Sequence, residues 1–208
     1  MTMHVSSWTL LRKVLVASGL VVALTHAVGT ATWVQSTNAT LTRFDLSTIQ
    51  SELDNPTGYL ISLLGMLAGV TLVGYIAHAL RAHAPRPATL LLIAVALFLL
   101  NAIATYTLPS VWRIHAILAR VSFVMLIASQ IAFFTRYMMR SDWYIAWGTF
   151  VAAIVLFVLP KFFHIDIMMQ IAGFDVNVIL GLSEVAYLLL FYAGMYRMLS
   201  VAERETSE

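Results

Sequence analysis

Six polar residues stand within or beside long apolar runs of this chain, and their types could carry chemistry: His26, Asn101, Arg113, Arg120, Glu184 and Tyr187. A histidine and a glutamate can exchange a proton, an arginine can hold an anion, and an asparagine both donates and accepts. In apolar surroundings such groups need partners, because a charge at the centre of a bilayer costs about 2.5 to 3.5 kcal/mol even on insertion scales. Arg113 lies seven residues before Arg120, on nearly the same helical face, and Tyr187 shares a face with Glu184 three residues earlier. Other chemistries find less support. The chain has no cysteine, which excludes disulfides, a thiolate nucleophile, iron–sulfur clusters and cysteine-ligated zinc. His26 and His115 stand on suitable runs for a haem but at different depths, while His78 and His83 lie near one end of theirs. His164 and Asp166 are two apart without an HExxH pattern or further ligands, as in an interfacial polar turn. No catalytic constellation, cofactor or metal is therefore expected.

The elements that must position these residues follow from composition. Hydrophobic residues make up 61% of the 208 and charged ones only 11%, against roughly a quarter charged in globular chains. A large aqueous domain is excluded. The net charge of +2 comes from short basic clusters at the ends of apolar runs and makes no case for nucleic-acid binding. A membrane-spanning helix needs about 20 mainly apolar residues, and six stretches meet that test, at about 14–33, 58–80, 88–106, 112–134, 143–159 and 176–196. The expected fold is all-α: one polytopic transmembrane helix bundle of six spans. The intervening loop at about 35–57 carries Asn38, Asp45, Glu52, Asp54, Asn55 and Pro56, a mixture that cannot sit in lipid. Residues 161–175 mix aromatic, methionine and acidic side chains, as an interfacial helix would. Residues 202–208 read as a solvated charged tail, and Trp33, Trp112, Trp143 and Tyr196 as interface markers.

Orientation follows from the basic residues. Arg12, Lys13, Arg81, Arg86, Arg136, Arg140, Arg197 and Arg204 fall on one side of a six-span layout, against Arg43, Arg113 and Lys161 on the other. The positive-inside rule then puts both termini in the cytoplasm and the 35–57 loop outside. A cleaved signal peptide is the rival reading of the first run, with Ala27, Gly29 and Ala31 as small residues near a cleavage site, but the run is long for a signal core. Asn38-Ala39-Thr40 matches a glycosylation acceptor.

The segment FDLSTIQSELDNPTGYL before a glycine-rich second helix, the ending GLSEVAYLLLFYAGMYRML and the six-helix layout resemble the DUF 998 family of prokaryotic membrane proteins, distantly related to DRAM-type proteins. The resemblance spans most of the chain and implies a multi-pass protein of the prokaryotic plasma membrane, without implying a chemistry. In the second helix Gly65 and Gly69 form a GxxxG pattern that lets another helix approach closely, either within the subunit or across a homodimer.

Counting inward from the outer ends of the spans puts His26, Asn101, Arg120 and Glu184 all about 8 to 13 Å deep. Three arrangements suit a shared depth: an Arg120–Glu184 pair that sets helix register with His26 and Asn101 completing its hydrogen bonds, an outward-open cavity that binds a small polar molecule, a lipid headgroup or a proton, and equal depth without contact. The corresponding functions are a non-enzymatic protein that binds or moves a small polar or amphipathic ligand, a structural or accessory subunit of a membrane complex, and a lipid-modifying enzyme. Its surroundings in each case are membrane lipids. If Arg120 and Glu184 are coupled, Arg120→Gln and Glu184→Gln should each destabilise the protein by about 3 to 5 kcal/mol, and the double variant should recover part of the loss. Thermal unfolding in detergent measures this, and strict additivity rejects the coupling.

Overall fold

The structure, a computed structural model, describes residues 5–37, 55–107, 112–137, 151 and 176–207. Among these residues it is all-helical and has no strand. Five helices follow one another: α1 (Val5–Thr37), α2 (Pro56–Leu80), α3 (Pro85–Thr107), α4 (Trp112–Tyr137) and α5 (Val176–Ser207). The expected span at 143–159, most of the 35–57 loop, Asn38 and the His164–Asp166 turn lie outside the described residues, as do the side chains of Arg113, His115, Arg120, Glu184 and Tyr187 within α4 and α5.

Among the described residues three helices are long and apolar enough to cross a membrane: Ser7–Gln35 within α1, all of α2, and Pro85–Ile103 within α3. Only 28%, 33% and 28% of their apolar windows is buried inside the protein. Leu20, Leu24, Leu60, Leu64, Leu100 and Ile103 accordingly point outward and are about half exposed or more. A water-soluble monomer does not carry apolar surface on that scale, and lipid is the solvent that suits it. Hydroxyls within these helices are satisfied locally, as when Thr30 Oγ1 donates to the His26 carbonyl at 2.7 Å and Thr71 Oγ1 to that of Leu67 at 2.7 Å.

Neighbouring helices close a cycle in the order α1, α2, α3, α4, α5 and back to α1. The α2–α3 corner is tight: His83 N–H donates to the Leu80 carbonyl at 3.0 Å, Ala84 N–H to the same oxygen at 2.8 Å, and Pro85 opens α3 where a missing N–H costs nothing. Leu80, Ala84 and Ala88 are fully buried at this corner. A continuous apolar core joins them to Trp8, Leu11 and Leu15 of α1, Leu91 and Ala94 of α3, Phe133 and Phe134 of α4, and Met195, Met198 and Leu199 of α5. The core occupies the half of the bundle where α1 begins, α5 ends and α2 turns into α3.

The α1–α2 seam is built differently. A methyl group placed on Gly58, Gly65 or Gly69 of α2 would overlap Thr32, Thr25 or Val22 of α1 respectively. The GxxxG pair is thus occupied by a helix of the same chain. Gly65→Leu should force the two backbones apart and destabilise the protein by about 1 to 3 kcal/mol, whereas Ala68→Leu, on the exposed face of α2, should leave the melting temperature unchanged. Unfolding of both variants in detergent tests this, and equal stability would contradict the seam.

Candidate functional site

Asn55 caps α2: its Oδ1 accepts from Gly58 N–H at 3.2 Å, with Pro56 at the first helical position. Its Nδ2 donates across the seam to the Gly29 carbonyl of α1 at 3.0 Å. One side chain therefore ends a helix and ties it to its neighbour. Sequence reasoning counts Asn55 only among the loop's polar residues, although Asn followed by Pro is a helix-start signal.

Deeper in the bundle Ser18 joins three helices. Its Oγ donates to the Gly69 carbonyl of α2 at 2.9 Å and lies 2.8 Å from the Tyr192 hydroxyl of α5. A serine has one hydroxyl proton, so Tyr192 donates and Ser18 accepts in that second bond. The Tyr192 ring packs beside Gly19, where an added methyl would come within 3.3 Å of it.

A third cluster sits where α1 begins and α5 ends. Arg12 Nη2 and Glu203 Oε2 form an ion pair at 2.5 Å, and Thr9 Oγ1 donates to Glu203 Oε1 at 2.6 Å. The Arg12 guanidinium also lies over the Tyr196 ring, 5.8 Å from its centroid. Trp8, 1% exposed, tilts against His83 of the α2–α3 corner with ring centroids 5.8 Å apart. These contacts correct the expected solvated tail at 202–208: α5 continues to Ser207, Ala202 is fully buried and Glu203 is engaged by α1. α1 also runs through Arg12 and Lys13, ahead of the expected span at about 14–33, and Arg12 has a carboxylate partner there. Trp33 is buried within the protein, 3% exposed.

His26 is the sequence-predicted site residue whose geometry is fully described. Its Nδ1 lies 2.8 Å from the Val22 carbonyl, an acceptor, so Nδ1 carries the proton in that bond. The residue is 8% exposed, and its Nε2 is buried without a hydrogen-bond partner. In neutral imidazole that nitrogen is an acceptor. Asn101 is half-buried on α3.

Helix register gives the levels of the others. Ser18 meets Tyr192 across antiparallel α1 and α5, and eight residues onward along α1 and back along α5 stand His26 and Glu184. Both steps rise about 12 Å. Phe98 and Phe123 stack edge to face across α3 and α4, with centroids 5.2 Å apart, and three residues further toward the same end stand Asn101 and Arg120. Gln130 and Phe134 of α4 both approach Gly194 of α5; counting back from them puts Arg120 within one turn of Glu184. Four polar residues on four consecutive helices of the cycle thus fall at one level, above the apolar core. Arg113 stands further from the apolar core along α4, whereas Tyr187, between Glu184 and Tyr192 along α5, stands nearer to it. Among the described residues no three histidine, aspartate or glutamate side chains gather as metal ligands would.

Comparisons with family models, curated proteins and solved structures give no match. The site is consequently read from its own geometry. Arg12→Gln and Glu203→Gln should each destabilise the protein by about 1.5 to 3 kcal/mol, the range for hydrogen bonds to charged groups, with Thr9→Val milder. A double-mutant cycle on Arg12 and Glu203 should be non-additive in detergent unfolding, and additive losses would dissolve the clamp.

Proposed function

We propose that the chain is a six-span protein of the prokaryotic plasma membrane, with both termini in the cytoplasm, that binds or moves a small polar or amphipathic ligand at the His26 level. The ligand reading is carried by the buried, unpartnered Nε2 of His26 at the height of Asn101, Arg120 and Glu184. A packing residue would be expected to satisfy both ring nitrogens, because an unmet buried acceptor costs about 1 to 3 kcal/mol. The same level lies away from the apolar core, toward the end of the bundle where Asn55 caps α2.

Six spans are supported by the ends of the described helices. α4 and α5 run parallel, as the common approach of Gln130 and Phe134 to Gly194 requires with the directions of α1 and α3. The described chain leaves α4 at the end that holds the first residues of α1 and the last of α5, and enters α5 at the other, which supports the six-span reading. The basic residues Lys13, Arg81, Arg86, Arg136 and Arg204 are exposed at that terminal end, which supports its cytoplasmic placement by the positive-inside rule. Membership of the DUF 998 family is part of this reading and rests on the loop and final-helix segments that resemble it.

A structural or accessory subunit is the competing reading, favoured by Asn55, Ser18 and Tyr192, whose hydrogen bonds are all spent on joining helices. Single cysteines separate the two in this cysteine-free chain. An impermeant thiol reagent added to intact cells should modify Ser47→Cys and not His83→Cys; the reverse pattern overturns the orientation. A small charged methanethiosulfonate added outside should also modify His26→Cys while leaving Ser18→Cys, fully buried in the three-helix junction, unreacted. Protection of His26→Cys alongside a reactive Ser47→Cys would remove the outward pocket and leave the structural reading.

A further inference from the structure

The α2–α3 corner carries cations that the chain does not neutralise. No aspartate or glutamate occurs between Asp54 and Asp142, and Arg81 and Arg86 are exposed there without an ion pair. Glu203, which α5 brings to the same end of the bundle, is taken by Arg12. The backbone of the corner offers an anion little, since Pro85 and Pro87 have no N–H and those of His83, Ala84 and Ala88 are bonded to the Leu80 and Ala84 carbonyls. Recognition of an anion there falls to side chains.

Arg86, Thr89 and Leu90 share one face of the first turns of α3 and, with Pro85, line an open groove of about 390 Å³. The Thr89 hydroxyl is exposed and makes no hydrogen bond. Below the groove Leu90, Ile93 and Leu97 continue the same face as a partly exposed aliphatic stripe. From Arg86 to Leu97 the helix rises about 16 Å, about half of the 30 Å hydrocarbon layer. A cation and a hydroxyl at the end of a span, with an apolar lane one leaflet deep beneath them, match the profile of a single lipid. An arginine fork suits its phosphate.

We propose that this groove holds one anionic phospholipid, with its phosphate at Arg86 and Thr89, Arg81 beside the headgroup, and an acyl chain along Leu90, Ile93 and Leu97. A choline headgroup carries its own ammonium and answers less of the unpaired positive charge of the corner. Such binding requires only that α3 lie in lipid, whichever end faces the cytoplasm and whatever occupies the His26 level.

The test adds phosphatidylglycerol or phosphatidylcholine with identical acyl chains to the purified full chain in detergent micelles, with soluble glycerol 3-phosphate in a parallel arm. Phosphatidylglycerol should raise the Tm by about 3 °C or more, phosphatidylcholine by less than half as much, and glycerol 3-phosphate not at all. Arg86→Gln should remove at least half of the difference between the two lipids, and Thr89→Trp, which fills the groove without changing charge, should do the same. Lys13→Gln removes an exposed cation from α1 at the same end of the bundle and should preserve the difference. Equal shifts with both lipids, or none with either, overturn the proposal in the wild-type protein, independently of whether the variants fold. A shift with glycerol 3-phosphate as large as that with the lipid leaves a phosphate site and removes the lipid, and equal losses in Lys13→Gln and Arg86→Gln reduce the groove to diffuse surface charge; either result overturns the assignment. Labelling of His26→Cys tests the outer pocket separately.

Discussion

In lipid, apolar side chains gain nothing by leaving their solvent for one another, so helices have to be held by close packing and by hydrogen bonds. The α1–α2 seam meets that condition with the glycine face of α2, where Gly58, Gly65 and Gly69 admit the Thr32, Thr25 and Val22 side chains of α1. Backbone approach in turn brings carbonyl oxygens within reach of short polar side chains. Asn55 reaches the Gly29 carbonyl and Ser18 the Gly69 carbonyl only because the two helices lie this close. Ser18 then offers its lone pair to Tyr192, and α5 is recruited to the same pair of helices. The cycle of helices thus grows outward from one small-residue contact.

The interior of that cycle is divided along its length. Near the termini it is filled by leucine, methionine, phenylalanine and alanine, which exclude water and fix spacing. Above the Ser18–Tyr192 bond the buried side chains on the α1–α2 side include the polar His26, Ser62 and Asn55 beside Tyr59 and Trp33. Such a division gives one end of the bundle a close-packed apolar base. The hydroxyl of Tyr192 marks the boundary between the two zones.

Much of the fold was legible because its signals are local. Long apolar runs specify helices in lipid, and GxxxG marks a close helix contact from five residues alone. Its partner was not legible, since several spans could have supplied threonine and valine at suitable spacing. The shared height of His26, Asn101, Arg120 and Glu184 is an expectation from counting residues along straight helices, and of the four only His26 and Asn101 have side chains among the described residues. The clamp of Arg12 and Glu203 escaped the sequence because its partners are nearly a full chain length apart, and an acidic residue in the last turns of a helix resembles ordinary surface polarity. Asn55 and Trp8 escaped for the opposite reason: each had a local signal, a capping Asn-Pro pair and an indole before a basic cluster, that was outweighed by the reading of its neighbourhood as loop or flank.

The contact of Thr9 and Arg12 with Glu203 joins residues separated by 194 positions in the Thr9–Glu203 bond. Because a ribosome releases the chain from the first residue onward, Arg12 enters the membrane long before its carboxylate exists. Until α5 has followed, the foot of α1 carries a cation whose carboxylate partner is not yet present. The contact therefore closes late, and the first and last described helices hold each other only once both are in place.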